Sequence, residues 1–191
     1  MVKKVKEKIS WLLSDSVELD PTLAIDDFKK IGPFWGSWRT WRACQTDNVI
    51  CHDQNKASDF FRRNFQNSCN LYIPNSVYVS LDRPQGVKVY AGEFVHDVIR
   101  QEEIVAMHLA ATTSDIVILL GWDLAELPPD ADKLRANQTQ HHRNLLYQAL
   151  KDYTQIQWVV VDHAGPLDPN LTNLDNIVTD TMENVLTFAN D

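Results

Sequence analysis

Four short apolar runs limit what this chain can fold into: Asn48-Val-Ile-Cys-His52, Val87-Lys-Val-Tyr-Ala91, Asp115-Ile-Val-Ile-Leu-Leu-Gly121 and Gln157-Trp-Val-Val-Val161. Runs of this length, rich in β-branched residues, read as strands. Their near lack of polar alternation marks strands covered on both faces. Between them lie stretches of helical periodicity. One is expected from Asn55 to Phe65, and a second from Val95 to Thr112, with Ile99, Ile104, Met107, His108 and Ala111 recurring about every 3.6 residues. A third is expected from about Asn137 to Tyr153. The last, Leu174 to Phe188, carries Ile177, Val178, Met182, Val185 and Leu186 on one side. Strands alternating with helices predict an α/β fold, a three-layer Rossmann-like or flavodoxin-like arrangement around four or five mostly parallel strands. Residues 71–82 carry both signals, and Pro74 argues against a central strand there, leaving an edge strand or a short helix.

Upstream of this pattern the sequence reads differently. Val2, Val5, Ile9 and Leu12 fall at helical spacing with lysines between them, which predicts a short amphipathic helix. The expected organisation is therefore a helical, tryptophan-rich extension over residues 1–46 and an α/β domain over 47–191.

Charge and cysteine content narrow the function classes. The 191 residues carry a formal net charge of −8, which repels nucleic-acid backbones and anionic membranes. Neither is an expected partner. No stretch approaches the ~20 apolar residues of a membrane span, and the first fifteen residues are too polar for a signal peptide. Three cysteines, Cys44, Cys51 and Cys69, form no CxxC pair, which suits a reducing, cytoplasmic setting. Cys51 reads as an inert buried thiol rather than an activated one. No metal site is expected, since His-Asp pairs scattered over several loops are a poor zinc signature. No cofactor is indicated.

In open parallel sheets ligands bind beyond the carboxyl ends of the strands, where loops vary and helix N-termini point. Each expected strand ends in an ionisable group: His52-Asp53, Glu93, Trp122-Asp123 and Asp162-His163. Asp123 and Asp162 are the first candidates for acid–base or nucleophilic work. His52 and His163 are placed to transfer protons, Trp122 to stack on a base or sugar, and Glu93 and Asp53 to contact the ligand. The competing reading is that strand-end acids cap the next helix. His108 lies on an apolar helix face and reads as a hydrogen-bonded core residue, and His141-His142 as solvated side chains.

Trp35, Trp38 and Trp41 recur every three residues, with Arg39 and Arg42 beside them. From Lys29 to Arg63 seven basic residues face three acidic ones, a local inversion of the chain's charge. Such a stripe packs an extension onto the body, forms the centre of a partner or homo-oligomer interface, or contacts a nucleotide, with an arginine on its phosphate.

The segment Thr112-Thr-Ser-Asp-Ile-Val-Ile-Leu-Leu-Gly-Trp-Asp123, followed by a helix and an apolar strand, resembles the central part of nucleoside 2-deoxyribosyltransferase-like proteins. Ile31-Gly-Pro-Phe34 is similar to that group's early strand-loop motif. The likeness covers Glu102 to Val161. In the family a glutamate on the helix after the Gly-Trp strand is the nucleophile. Here that helix reads Thr139-Gln-His-His-Arg-Asn-Leu-Leu-Tyr-Gln-Ala149, without a glutamate. The resemblance implies a nucleoside or nucleotide ligand. The leading expectation is a protein that binds or processes such a ligand at the carboxyl edge of the sheet. The rival is a non-enzymatic interaction protein docking through Trp35–Trp41.

Overall fold

The computed structural model describes residues 7–15, 25–90, 101–122, 124, 133–162 and 166–188. Among these, eight strands form one sheet, all parallel. In chain order the strands are β1 (Ile9–Leu13), β2 (Phe34–Ser37), β3 (Asn48–Ile50), β4 (Asn70–Pro74), β5 (Val87–Tyr90), β6 (Ile116–Leu120), β7 (Gln157–Val161) and β8 (Ile177–Asp180). The helices are α1 (Ile25–Ile31), α2 (Trp38–Cys44), α3 (Gln54–Arg62), α4 (Asn75–Ser80), α5 (Gln101–Thr113), α6 (Lys133–Asp152) and α7 (Met182–Phe188).

The strand order is β5-β4-β3-β2-β1-β6-β7-β8. The chain starts in the middle, winds outward to β5, then returns under α5 to the other side of β1. That reversal moves the helices to the opposite face. Leu12, Trp35, Ile50, Val117, Leu119, Trp158 and Val160 pack with α5 and α6. The alternate residues point the other way. Trp11, Leu13, Phe34, Ile118 and Leu120 pack with α1 and α7, while Val49, Cys51, Leu71 and Ile73 pack with α2, α3 and α4. Both faces of the central strands are therefore dry, as their unalternating sequences require.

The extension expected over residues 1–46 is not separate: Ile9–Leu13 and Phe34–Ser37 are strands of the same sheet, and β1 lies at its centre. The last four residues of the run Ile-Ser-Trp-Leu-Leu are buried, even Ser10, whose hydroxyl accepts from Ser114 Oγ at 2.7 Å. Residues 1–6 of the expected amphipathic helix lie outside the described residues. The sheet is also larger than the four or five strands expected. Residues 71–82 contain both elements that the sequence signals: β4 ends at Pro74, whose missing N–H suits a strand terminus, and α4 begins at Asn75. The expected helix over 174–188 divides, with Ile177 and Val178 in β8 and Met182 onward in α7.

The tryptophan stripe divides as well. Trp35 belongs to β2, and Trp38 and Trp41 to α2, all three at most 9% exposed. Trp38 stacks on Trp41 at 5.3 Å, and both rings meet Phe60 of α3. These rings pack α2 and α3 onto the sheet. Burial on this scale withdraws them from a partner surface.

Candidate functional site

The direction of winding reverses between β1 and β6, a topological switch point of the kind at which open α/β sheets bind ligands. Three carboxylates meet on the β1 side of it. Asp15 follows β1, and Glu102 and Glu103 stand in the first turn of α5, whose N-terminal dipole favours negative charge. Glu103 is 2% exposed and accepts the Ser14 hydroxyl at 3.1 Å and the Asp15 backbone N–H. Asp15 accepts the Ser37 hydroxyl and the Thr40 hydroxyl, the latter at 2.9 Å. Ser37 in turn caps α2, accepting the N–H groups of Arg39 and Thr40. Glu102 accepts the backbone N–H of His52 at 2.8 Å, just past β3, and that of Trp38. The ends of β1, β2 and β3 are thus tied together through acids.

Burial pushes the Glu102 carboxyl above its ordinary value, and the Asp15 charge adds to the effect. The His52 and Trp38 N–H groups and the nearby Lys56 ammonium hold it down. Burial pulls the His52 imidazole down to about 4. Its ring lies 5.8 Å from that of Tyr90 at the end of β5. Neither His52 Nε2 nor the Tyr90 hydroxyl, both buried, has a hydrogen-bond partner among the described residues. Burial raises the phenol as well, followed by the Glu102 charge, so both rings are neutral near pH 7. Partnerless buried polar atoms are scarce in proteins.

His52 and Glu102 titrate with opposite signs, which gives a test. The unfolded imidazole takes up its proton below the ordinary value of 6.5, the folded one only near 4. Stability from His52 is therefore complete above pH 6.5 and falls as pH drops toward 4, by about 2 kcal/mol after allowing for partial exposure. The folded Glu102 carboxyl binds its proton before the unfolded one does, so acidification is favourable there. Melting temperature followed from pH 7 to 4 is expected to flatten in His52→Gln and steepen in Glu102→Gln. Parallel curves for the three proteins would refute both assignments.

The strand-end residues singled out in the sequence separate into groups. His52 belongs to the cluster. Asp53 is the N-cap of α3, accepting from Asn55 and Lys56 backbone N–H at 2.8 and 2.9 Å. Asp162 accepts the Met182 N–H at 3.1 Å and so supports the start of α7. β3 and β7 are separated by β2, β1 and β6, which puts His52 and Asp162 four strand spacings apart, roughly 19 Å. They do not share a site. Trp122 has its ring in the core at 7% exposure and donates its indole N–H to the Leu12 carbonyl at 3.0 Å, a packing position rather than an open stacking platform. Asp123, Glu93 and His163 lie outside the described residues. Arg39 and Arg42 are exposed on α2. Cys51 is fully buried and its thiol is pushed up to about 12, foremost by burial. His108 is half-buried, with its Nδ1 3.1 Å from the Tyr153 hydroxyl, so it is hydrogen-bonded as expected but lies at the margin of the core.

Sequence reasoning misses Ser14, Asp15, Ser37, Thr40, Glu102 and Glu103. A signal for the first pair is present: Ser14-Asp15 ends an apolar run as Trp122-Asp123 does. Among the described residues no group of three or more His, Cys, Asp and Glu side chains is arranged to hold a metal ion, and no helix is long and apolar enough to cross a membrane. No protein-family model matches this chain, and neither does any curated protein or solved structure.

Proposed function

We propose that the chain binds a nucleoside or nucleotide at the carboxyl edge of its sheet, with the β1 side of the switch point as the pocket wall. The observation that carries this reading is the convergence of Asp15, Glu102 and Glu103 on the ends of β1, β2 and β3, next to His52 Nε2 and the Tyr90 hydroxyl, which have no hydrogen-bond partner among the described residues. Carboxylates held by backbone N–H groups are fixed acceptors for vicinal sugar hydroxyls, and a neutral imidazole and phenol suit the edge of a base. The resemblance of residues 102–161 to nucleoside 2-deoxyribosyltransferase-like proteins supports the same ligand class. In a turnover reaction Glu102 is the group suited to move a proton, because burial brings its carboxyl toward the working pH.

Thermal melting against nucleosides, nucleotides and free sugars tests the reading. A bound ligand at a hundredfold excess over its dissociation constant adds about 2.7 kcal/mol to the folded state. The expected result is a shift confined to nucleosides and nucleotides and lost in Glu102→Gln, which keeps the size of the side chain and removes a buried charge. A flat panel, or an undiminished shift in Glu102→Gln, overturns it.

A further inference from the structure

An open groove of about 500 Å³ on the α2–α3 side is lined by Trp38, Arg39, Ala43, Arg42 and Lys56. Three of the five lining residues are cations and none is an acid, on a chain whose net charge is −8. Arg39 and Arg42 sit three residues apart on α2 and so share a side of the helix, where like charges repel. Among the described residues none of the three cations makes an ion pair, whereas Lys29, Arg62 and Arg63 each have a carboxylate partner. The groove also adjoins the acid cluster. Trp38 gives its backbone N–H to Glu102, Lys56 acts electrostatically on that same carboxyl, and the α2 cap Ser37 is bound to Asp15.

We propose that this groove is an anion site for the phosphate of a phosphorylated nucleoside, with the sugar directed toward Asp15 and Glu102. Two guanidinium groups and an ammonium in one depression match a phosphomonoester or diphosphate, since guanidinium binds phosphate oxygens through paired N–H donors and an ammonium acts as a point charge. Trp38, largely buried, lines the same groove. The sugar placement rests on the nucleoside reading above; the anion site stands on the groove itself.

The test is calorimetric titration at constant ionic strength with a nucleoside, its 5′-mono- and diphosphate, and inorganic pyrophosphate, using the wild type, Arg39→Gln/Arg42→Gln, Lys56→Gln and Glu102→Gln. The expected result is nucleotide binding at least about tenfold tighter than nucleoside binding, with that difference erased by the arginine pair and reduced by Lys56→Gln. Glu102→Gln should weaken nucleoside and nucleotide alike. Equal affinities for nucleoside and nucleotide, unchanged by the arginine substitutions, would overturn the anion site and leave the switch-point reading standing. Pyrophosphate binding that depends on the arginines, with no affinity for nucleosides, would uphold the anion site and defeat the nucleoside reading. No binding of any probe would overturn both. Arg39 and Arg42 are exposed and Lys56 is half-buried, so the variants should fold, and unchanged melting temperatures verify that.

Discussion

Gly32→Ala is expected to abolish folding or to leave only insoluble protein. Gly32 joins α1 to β2, and its backbone runs directly against the central strand. A Cβ built there would stand 2.0 Å from the Ile9 carbonyl oxygen and 2.7 Å from its carbon. Both are backbone atoms of β1, which cannot swing aside as a side-chain tip could. β1 is held on its other side by five paired residues of β6, and the Trp11 N–H bonds to the Pro33 carbonyl at 3.0 Å. Relief of the clash would pull the α1–β2 connection off the sheet and break that pairing. The cost is of the order of 4–5 kcal/mol or more, against the 5–15 kcal/mol that holds a typical domain together. Gly86→Ala is the control. Gly86 sits at a φ of +80° with nothing within 4 Å of the place its new methyl group would take, so only the left-handed backbone is strained, at about 1–2 kcal/mol. Soluble yield and melting temperature of the two variants decide the matter. A Gly32→Ala protein that melts within a few degrees of wild type would show that this close approach carries no constraint.

The same glycine explains one limit of reading this chain from its sequence. Ile31-Gly-Pro-Phe34 is legible as a loop entering a strand, but only the fold shows that the glycine is there for a neighbour more than twenty residues away. Strands with unmixed apolar sequences are plain: Gln157–Val161 is found at its expected limits, and Ile116–Leu120 lies within the expected 115–121. β1 is hidden because Val2, Val5, Ile9 and Leu12 happen to match a helical repeat, and five residues are too few to separate the two periods. β2 is hidden by the even spacing of Trp35, Trp38 and Trp41. That spacing crosses a boundary at Ser37, which both ends the strand and caps the helix.

The site is only partly readable for the same reason. His52 can be found because β3 can. Asp15 is lost with β1, and Glu102 and Glu103 resemble ordinary acids at a helix start, where the dipole alone accounts for them. Their meeting with Asp15 is a property of strand order, and local pattern carries no information on strand order. Asp162 illustrates the converse. It stands at a strand end as expected, yet the three strands between β3 and β7 remove it from His52 and leave it a helix-supporting role.

Trp11→Ala is expected to cost about 3–5 kcal/mol, the range for deleting a fully buried large aromatic. Trp11 is 0% exposed in the middle of β1 and meets Phe28 of α1 and Phe34 of β2 edge-on, at 5.1 and 5.9 Å. Its indole N–H donates to the Phe28 carbonyl at 3.1 Å, so one side chain fastens α1 to two strands. In a chain of this length each kcal/mol lowers the melting temperature by about 2–4 °C, which places the expected drop at roughly 6–20 °C. Trp11→Phe separates the contributions. The Phe28 carbonyl also accepts the Gly32 N–H at 3.4 Å and is not orphaned by losing the indole, so this variant should lose only about 1–2 kcal/mol, mainly from the smaller ring. Equal losses in the two variants would mean that the hydrogen bond, not the packing of the ring, holds α1 in place. Because α1 leads directly into Gly32 and β2, loosening it should also relax Ser37 and its bond to Asp15. Ligand response in Trp11→Ala is therefore expected to weaken well below its melting temperature, while Trp11→Phe keeps it.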